Sequence, residues 1–369
     1  MTETPGFLLT VAAFLLVLGP LVFVHELGHY LAGRLFGVKA EIFSIGFGRE
    51  IFGVTDRRGT RWKFAWLPLG GYVKFAGDMN PASQPSAEWL QLPPAERART
   101  FQAKPVWQRA IVVAAGPITN FLVAILILAG FAYAYGDSRT PPVVREVTAR
   151  SAAAAAGLHA GDRITAIDGR SIERFDELAR YVSLRPGEGA IMTVDRRGET
   201  LALPVTFAVR HETDRFGTDY RIGMLGVLSG PPVRVPVSLL EAPGIGVGRT
   251  VEIVRMMVDS LAQIVTGRRS VEELGGPIKI AQVAGQQLSL GWEPFVGLVA
   301  LISINLGFIN LLPVPVLDGG HLLLYAVEAV RRRPVGPQVQ EWAFRGGLAM
   351  ILALMLLVTF NDLVHGLAG

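Results

Sequence analysis

Apolar positions gather in four long runs, and the stretches between them carry shorter periodicities. Phe7 to Val24 holds 18 residues without a charge and continues into His25; Ala110 to Tyr135 holds 26 uncharged residues. Phe295 to Leu317 is also uncharged, although Asn305, Asn310, Pro313 and Pro315 interrupt it. Gly346 to Phe360 is the shortest run and extends past Asn361 and Asp362 to Val364. A helix needs about 20 mostly apolar residues to cross roughly 30 Å of hydrocarbon. The pattern predicts four spans, at about 7–30, 110–135, 295–317 and 346–364. The first run is expected to stay as an anchor. Residues 1–6 lack Lys and Arg, and no A-x-A pattern follows the run, so the marks of a cleaved signal peptide are missing.

Between the spans, Ala40 to Phe75 is Gly-rich and aromatic, with strand-like stretches such as Arg61 to Trp66, and 78–104 is polar and Pro-rich, a loop by composition. In the second half, 236–290 mixes amphipathic helical patterning over Val251 to Val265 with Gly275-Gly276-Pro277. That segment is expected along the outer membrane face, with a packed helix pair as the alternative.

Composition agrees with a membrane protein carrying soluble parts. Of the 369 residues 50% are hydrophobic and only 18% charged, against roughly 25% charged in soluble domains. There is no cysteine, which removes disulfide scaffolds, thiol catalysis and iron–sulfur clusters, and leaves any metal to His, Asp or Glu. A net charge of +4 is too small for a nucleic-acid footprint. Its distribution sets an orientation. Arg34 to Lys104 carries 11 Lys/Arg against 6 Asp/Glu, and Arg331, Arg332, Arg333 and Arg345 lie between the last two spans, whereas both chain ends lack basic residues. Basic loops stay inside, so both termini and the long segment 136–294 are expected outside.

At the end of the first span stands His25-Glu26-Leu27-Gly28-His29, an H-E-x-x-H motif. Residues four apart on a helix are neighbours, so both imidazoles reach one zinc ion, and Glu26 can accept a proton from water. Zinc lowers the pKa of such a water from 15.7 to about 7. A bare pair of interfacial histidines is the bland reading. Ionisable groups at membrane depth are costly and usually functional, which favours the metal site. A catalytic zinc takes three protein ligands and keeps one open position. Asp318, in Asn310-Leu-Leu-Pro-Val-Pro-Val-Leu-Asp318-Gly-Gly-His321, closes the third run on the same side of the membrane as His29. It is the expected third ligand, with a residue in loop 34–104 as the alternative. His321 is read as packing beside the site.

These residues resemble the site-2 protease family of intramembrane zinc metalloproteases, and most closely its bacterial regulator-of-sigma-E protease branch. The resemblance rests on His25-Glu-Leu-Gly-His29 and on Asn310-x-x-Pro-x-Pro-x-x-Asp318-Gly. Lesser matches are Gly46-Phe-Gly-Arg-Glu50, Pro68-Leu-Gly-Gly-Tyr-Val-Lys74, Lys104-Pro-Val-Trp-Gln-Arg109 and Ala115-Gly-Pro-Ile-Thr-Asn120. It implies zinc held by His25, His29 and Asp318, Glu26 as general base or acid, and Asn310 near the bound substrate. It implies cleavage within transmembrane segments of single-span proteins already trimmed by another protease, such as anti-sigma factors or remnant signal peptides. It also implies a β-hairpin region associated with the membrane.

Residues 139–210 are expected to form an inserted α+β domain. Val143 to Val147 reads as a strand, Ser151 to Gly157 as a short helix, Arg163 to Ile167 as a strand, Phe175 to Val182 as a helix, and Ala190 to Phe207 as a hairpin turning at Arg196-Arg-Gly198. The run Ala-Gly-Leu…Gly-Asp…Ile-Asp-Gly resembles bacterial PDZ domains, which bind peptide ends at a sheet edge. The branch's best-known members carry two such modules; one is found here, which bears on how substrates are screened.

The expected fold is a polytopic α-helical membrane protein with four transmembrane helices, a hairpin region at 40–75 and a PDZ-like insert. Its parts are 1–135 and 291–369 as the two halves of a protease core, 139–210 as the insert, and 211–290 as an amphipathic linker region. It is expected in the bacterial cytoplasmic membrane. Two rivals remain: a non-enzymatic PDZ-containing adaptor with a structural metal site, and a membrane-anchored protease that cuts cytoplasmic loops.

Overall fold

Among the described residues four helices are long and apolar enough to cross a membrane: Phe7–Leu35, Val106–Tyr135, Trp292–Asn310 and Gln338–Phe360. They belong to a computed structural model that describes residues 6–77, 92–183, 185–213, 219–266 and 276–367. The chain divides into two compact units, one of Met1–Ala129 with Pro243–Gly369, the other Gly130–Ala242.

The first unit is built on helix α1 (Phe7–Leu35). Its buried residues include Ala13, Val17, Leu21, His25 and Gly28, a stripe at spacings of four and three that marks one face of a helix. Large side chains on the remaining faces, among them Phe7, Leu8, Leu16 and Leu31, are exposed, as lipid-facing positions are. Strands β1 (Ala40–Thr55) and β2 (Arg61–Phe75) form an antiparallel hairpin with register shifts along it. Asp56 ties the turn, its Oδ1 accepting from the Arg58 and Thr60 N–H groups at 2.8 and 2.9 Å. Near α1 the hairpin is anchored by Phe43, stacked on Trp62 at 4.3 Å and met edge-on by Tyr30. Farther out, Ile51, Phe52, Val54 and Trp66 are exposed.

Helix α2 (Pro94–Arg97) is a single turn inside the expected 78–104 loop, of which 78–91 lies outside the described residues. Helix α3 (Val106–Tyr135) follows and runs into the second unit.

The second unit opens with β3 (Asp137–Arg139), β4 (Val144–Val147), α4 (Ala152–Ala155), β5 (Arg163–Ile167), β6 (Arg170–Ser171), α5 (Phe175–Ser183), β7 (Gly189–Arg196) and β8 (Glu199–Thr206). Its main sheet has the order β6-β5-β7-β8. Arg197 and Gly198 both take positive φ between β7 and β8, as a two-residue hairpin turn of primed type requires. Ile164, Ile167, Leu178, Met192, Val194 and Phe207 fill the core. The unit does not stop at residue 210. Strands β9 (Ala208–Thr213) and β10 (Asp219–Met224) pair together, β11 (Val227–Ser229) pairs with β4, and β12 (Val233–Val235) pairs with β3. Of these, β11 and β12 have three residues each, too short to show a period in sequence, while β9 and β10 have six each and lie at and beyond residue 210.

Back in the first unit, α6 (Ala242–Val265), α7 (Pro277–Ser289) and α8 (Trp292–Asn310) are helices, and Ala284 of α7 and Phe295 of α8 share a cluster with Ala13, Val17 and Leu21 of α1. Helix α8 ends at Asn310 instead of running to Leu317. Pro313 and Pro315 lack the N–H that would continue the ladder. After that break come α9 (Asp318–Arg331) and α10 (Pro337–Leu367).

Candidate metal centre

Each element delivers its polar group for a local reason. His25 and His29 lie one turn apart where the buried stripe of α1 nears its end. Asp318 opens α9, where a carboxylate also complements the helix dipole. The break before it is closely folded. The Val314 N–H donates to the Leu312 carbonyl at 2.7 Å and the Leu317 N–H to the Val314 carbonyl at 3.0 Å. Gly319 and Gly320 lie so near the carbonyls of Leu311, Leu312 and Val314 that any Cβ would collide with them. Val316 takes φ 97°, a conformation strained for a β-branched residue and the kind that clusters at functional sites.

Three donor atoms converge. His25 Nε2 is 3.2 Å from His29 Nε2, and Asp318 Oδ2 is 3.2 Å from the first and 3.5 Å from the second. Tetrahedral zinc with nitrogen and oxygen ligands at about 2.0–2.1 Å has ligand-to-ligand edges of roughly 3.3 Å. The triangle fits one face of that tetrahedron. The protonation pattern fits as well. His29 Nδ1 lies 2.8 Å from the Val112 carbonyl, an acceptor, so Nδ1 carries the hydrogen and Nε2 presents its lone pair. Asp318 Oδ2 is buried without a hydrogen-bond partner. Lone pairs facing one another are reconciled by a cation. Among the described residues these three form the group able to hold a metal; His321 lines the cavity but is not part of it.

A cavity of about 600 Å³ opens on this triangle and is lined also by Glu26, Asn310, Phe47 and Tyr72. Glu26 is buried, and its carboxylate takes a hydrogen bond from the Val73 backbone. Asn310, in the cavity lining, donates through Nδ2 to the Leu306 carbonyl at 3.0 Å. From the hairpin, Phe47, Gly70 to Val73 and Phe75 line the site, and the strand-like stretch Arg61 to Trp66 is not among them.

Several supporting groups went unassigned in the sequence. Gly116 of α3 gives the histidines room: a Cβ there would fall on His29 Nε2 and within 2.9 Å of His25 Cε1. Asn120, one turn on and fully buried, sets its side-chain amide 3.1 Å from His25 Nδ1, and its Oδ1 has no partner. Thr119 donates to the Val24 carbonyl at 3.2 Å, and Ser303 of α8 to the Asn120 carbonyl at 2.7 Å. Gly116, Thr119 and Asn120 fall within the Ala115–Asn120 motif, which marked the segment in sequence without assigning these roles; Ser303 lies outside any motif noted there.

The family model for Peptidase family M50 matches residues 13–354. A protein of Agrobacterium fabrum named as a zinc metalloprotease, Atu1380, is 47% identical over 96% of this chain and 95% of its own length. Metalloprotease MmpA of Caulobacter vibrioides is 39% identical over 97% of this chain and 96% of its own. Among solved structures, the PDZ domain of the SdrC-like protein from Listeria monocytogenes is similar at 23% identity over 26% of this chain and 88% of that one, with a TM-score of 0.19, too low to establish a shared fold. The chain belongs to peptidase family M50, the site-2 protease family its motifs resemble, and is a membrane zinc metalloprotease.

Proposed function

We propose that this enzyme hydrolyses peptide bonds inside transmembrane segments of single-span membrane proteins, with zinc held by His25, His29 and Asp318. The carrying observation is where the donors meet. His25 is the nineteenth residue of α1, about 27 Å along it at 1.5 Å per residue, within the reach of a roughly 30 Å hydrocarbon layer. Zinc bound there would acidify a water and polarise a substrate carbonyl. Glu26 Oε atoms receive the proton released on attack and return it to the leaving amine nitrogen. Asn310 offers its amide oxygen to a substrate backbone N–H.

A helical substrate hides its peptide bonds in its own hydrogen bonds, so it must unwind before it is cut. The edge of β2 beside Glu26 suits the unwound chain by backbone pairing. By the distribution of basic residues, both termini and the Gly130–Ala242 unit lie outside the bacterial cytoplasmic membrane, with the metal centre near the inner side. That unit acts as a PDZ-like screen for peptide ends left by an earlier protease. Anti-sigma factors and remnant signal peptides are the substrate classes this reading names.

The test is the position of the cut. Enzyme and a model single-span substrate are co-reconstituted in vesicles, and the products are mapped by mass spectrometry. Cleavage inside the apolar segment is expected. Cleavage confined to the flanking loops would establish the loop-cutting alternative, and zinc binding without any cleavage the adaptor.

A further inference from the structure

A second cavity, sharing no lining residue with the metal centre, lies where α1 ends. It measures about 470 Å³ and is lined by Arg34, Lys39, Arg58 and Arg99 with Gly37, Val38 and Gly59. Four of these seven are cations and none is acidic. We propose that this pocket binds a phosphate group, in the membrane the phosphodiester of an anionic lipid headgroup.

The cations come from three separate segments: the last turn of α1 with its exit, the β1–β2 turn, and the residues after α2. Backbone bonds hold those segments together. The Lys39 N–H donates to the Arg99 carbonyl at 2.9 Å, the Ala76 N–H to the Lys39 carbonyl at 2.8 Å, and Thr60 Oγ1 to the Ala40 carbonyl at 3.0 Å. The cluster is thus built on a fixed frame, not on one flexible loop. Among the described residues none of the four side chains has an ion pair. Nearby Asp56 attracts Arg34 through its charge, but its oxygens are already engaged, accepting from the Arg58 and Thr60 N–H groups and from Trp62 Nε1 at 3.0 Å. Like charges held together repel, and a phosphate in the pocket turns that repulsion into attraction. Guanidinium groups match its oxygens two at a time.

Position favours a lipid as the source. Leu31 and Leu35 on the last two turns of α1 are exposed, and so is Trp107, which meets Phe36 edge-on at 5.4 Å. Apolar residues giving way to an aromatic and then to cations is the sequence of environments at a bilayer surface, and basic pockets there bind anionic headgroups.

The test is native mass spectrometry of the full-length protein in detergent, titrated separately with phosphatidylglycerol, phosphatidylcholine and inorganic phosphate. Arg34→Gln/Arg58→Gln/Arg99→Gln is compared with Arg331→Gln/Arg332→Gln/Arg333→Gln, which removes the same charge elsewhere. Wild type and the control are expected to prefer phosphatidylglycerol over phosphatidylcholine. The pocket variant should bind phosphatidylglycerol about a hundredfold more weakly, roughly fivefold per cation removed. Loss of inorganic phosphate binding in the pocket variant, with no phosphatidylglycerol preference in wild type, would support the site and assign it a soluble ligand. If the triple variant fails to fold, Arg58→Gln and Arg99→Gln, both at exposed positions, each carry the test at roughly fivefold. Equal binding of both anions by pocket and control variants would overturn the proposal.

Discussion

At the scale of single residues, the metal centre depends on which ring nitrogen of each histidine carries hydrogen. The Val112 carbonyl decides this for His29. For His25 the deciding group is Asn120. Turned so that its orphaned Oδ1 faces Nδ1, the amide accepts a hydrogen there and leaves Nε2 free for zinc. Asn120→Asp keeps an acceptor and should hold zinc within a few-fold of wild type. Asn120→Leu, similar in size but without an acceptor, should lose roughly 10- to 100-fold in zinc affinity. Competition with a chromophoric chelator measures both, and equal affinities would remove the orienting role. Gly116→Ala sets a methyl group against His29 Nε2. It is expected to purify with substoichiometric zinc, read by metal analysis, while the helices stay folded by circular dichroism.

At the scale of elements, the hairpin is where a substrate chain would be handled. Proline removes a backbone N–H and blocks edge pairing. Prolines placed one at a time at Trp62, Phe64, Trp66 and Tyr72 should lower turnover most at Tyr72, which lines the site, with zinc content unchanged. Turnover insensitive to all of them would exclude edge pairing. Elements also divide what sequence could and could not reveal. The apolar runs and the H-E-x-x-H spacing carry strong, local signals, and Asp318 was reachable because orientation put it at the depth of His29. The end of α8 was not: an uncharged run reads straight through Pro313 to Leu317, although the helix stops at Asn310. Nor were the roles of Gly116 and Asn120, because they depend on how closely α3 approaches α1, a property of the packed pair. The cation pocket draws on three segments 65 residues apart at the extremes, and no window of sequence displays it.

At the scale of the whole molecule, the chain combines a unit built on apolar spans with a second unit stabilised like a water-soluble domain. In that second unit Arg196 clasps Asp162 through Nε and Nη2, both at 2.8 Å, and also bonds the Gly157 carbonyl at 2.7 Å. The guanidinium holds the Asp162 carboxyl below its ordinary value, helped by the His159 N–H. A carboxyl with a lowered folded pKa adds stability that is complete above the unfolded value, near 4, and disappears as the pH falls further. Asp162→Asn should therefore cost this unit about 2 kcal/mol at neutral pH and flatten its acid sensitivity. Hydrogen exchange on the intact protein at several pH values measures both effects.

In the first unit the proposed hydrolysis turns on the Glu26 carboxylate beside the donor triangle. Wild type and Glu26→Gln are purified in parallel, their zinc is quantified, and each is given the model single-span substrate in vesicles. Glu26 lies outside the donor triangle, so both proteins should carry one zinc per chain, and the variant should cleave at least about a hundredfold more slowly. Undiminished cleavage by zinc-loaded Glu26→Gln would contradict the account.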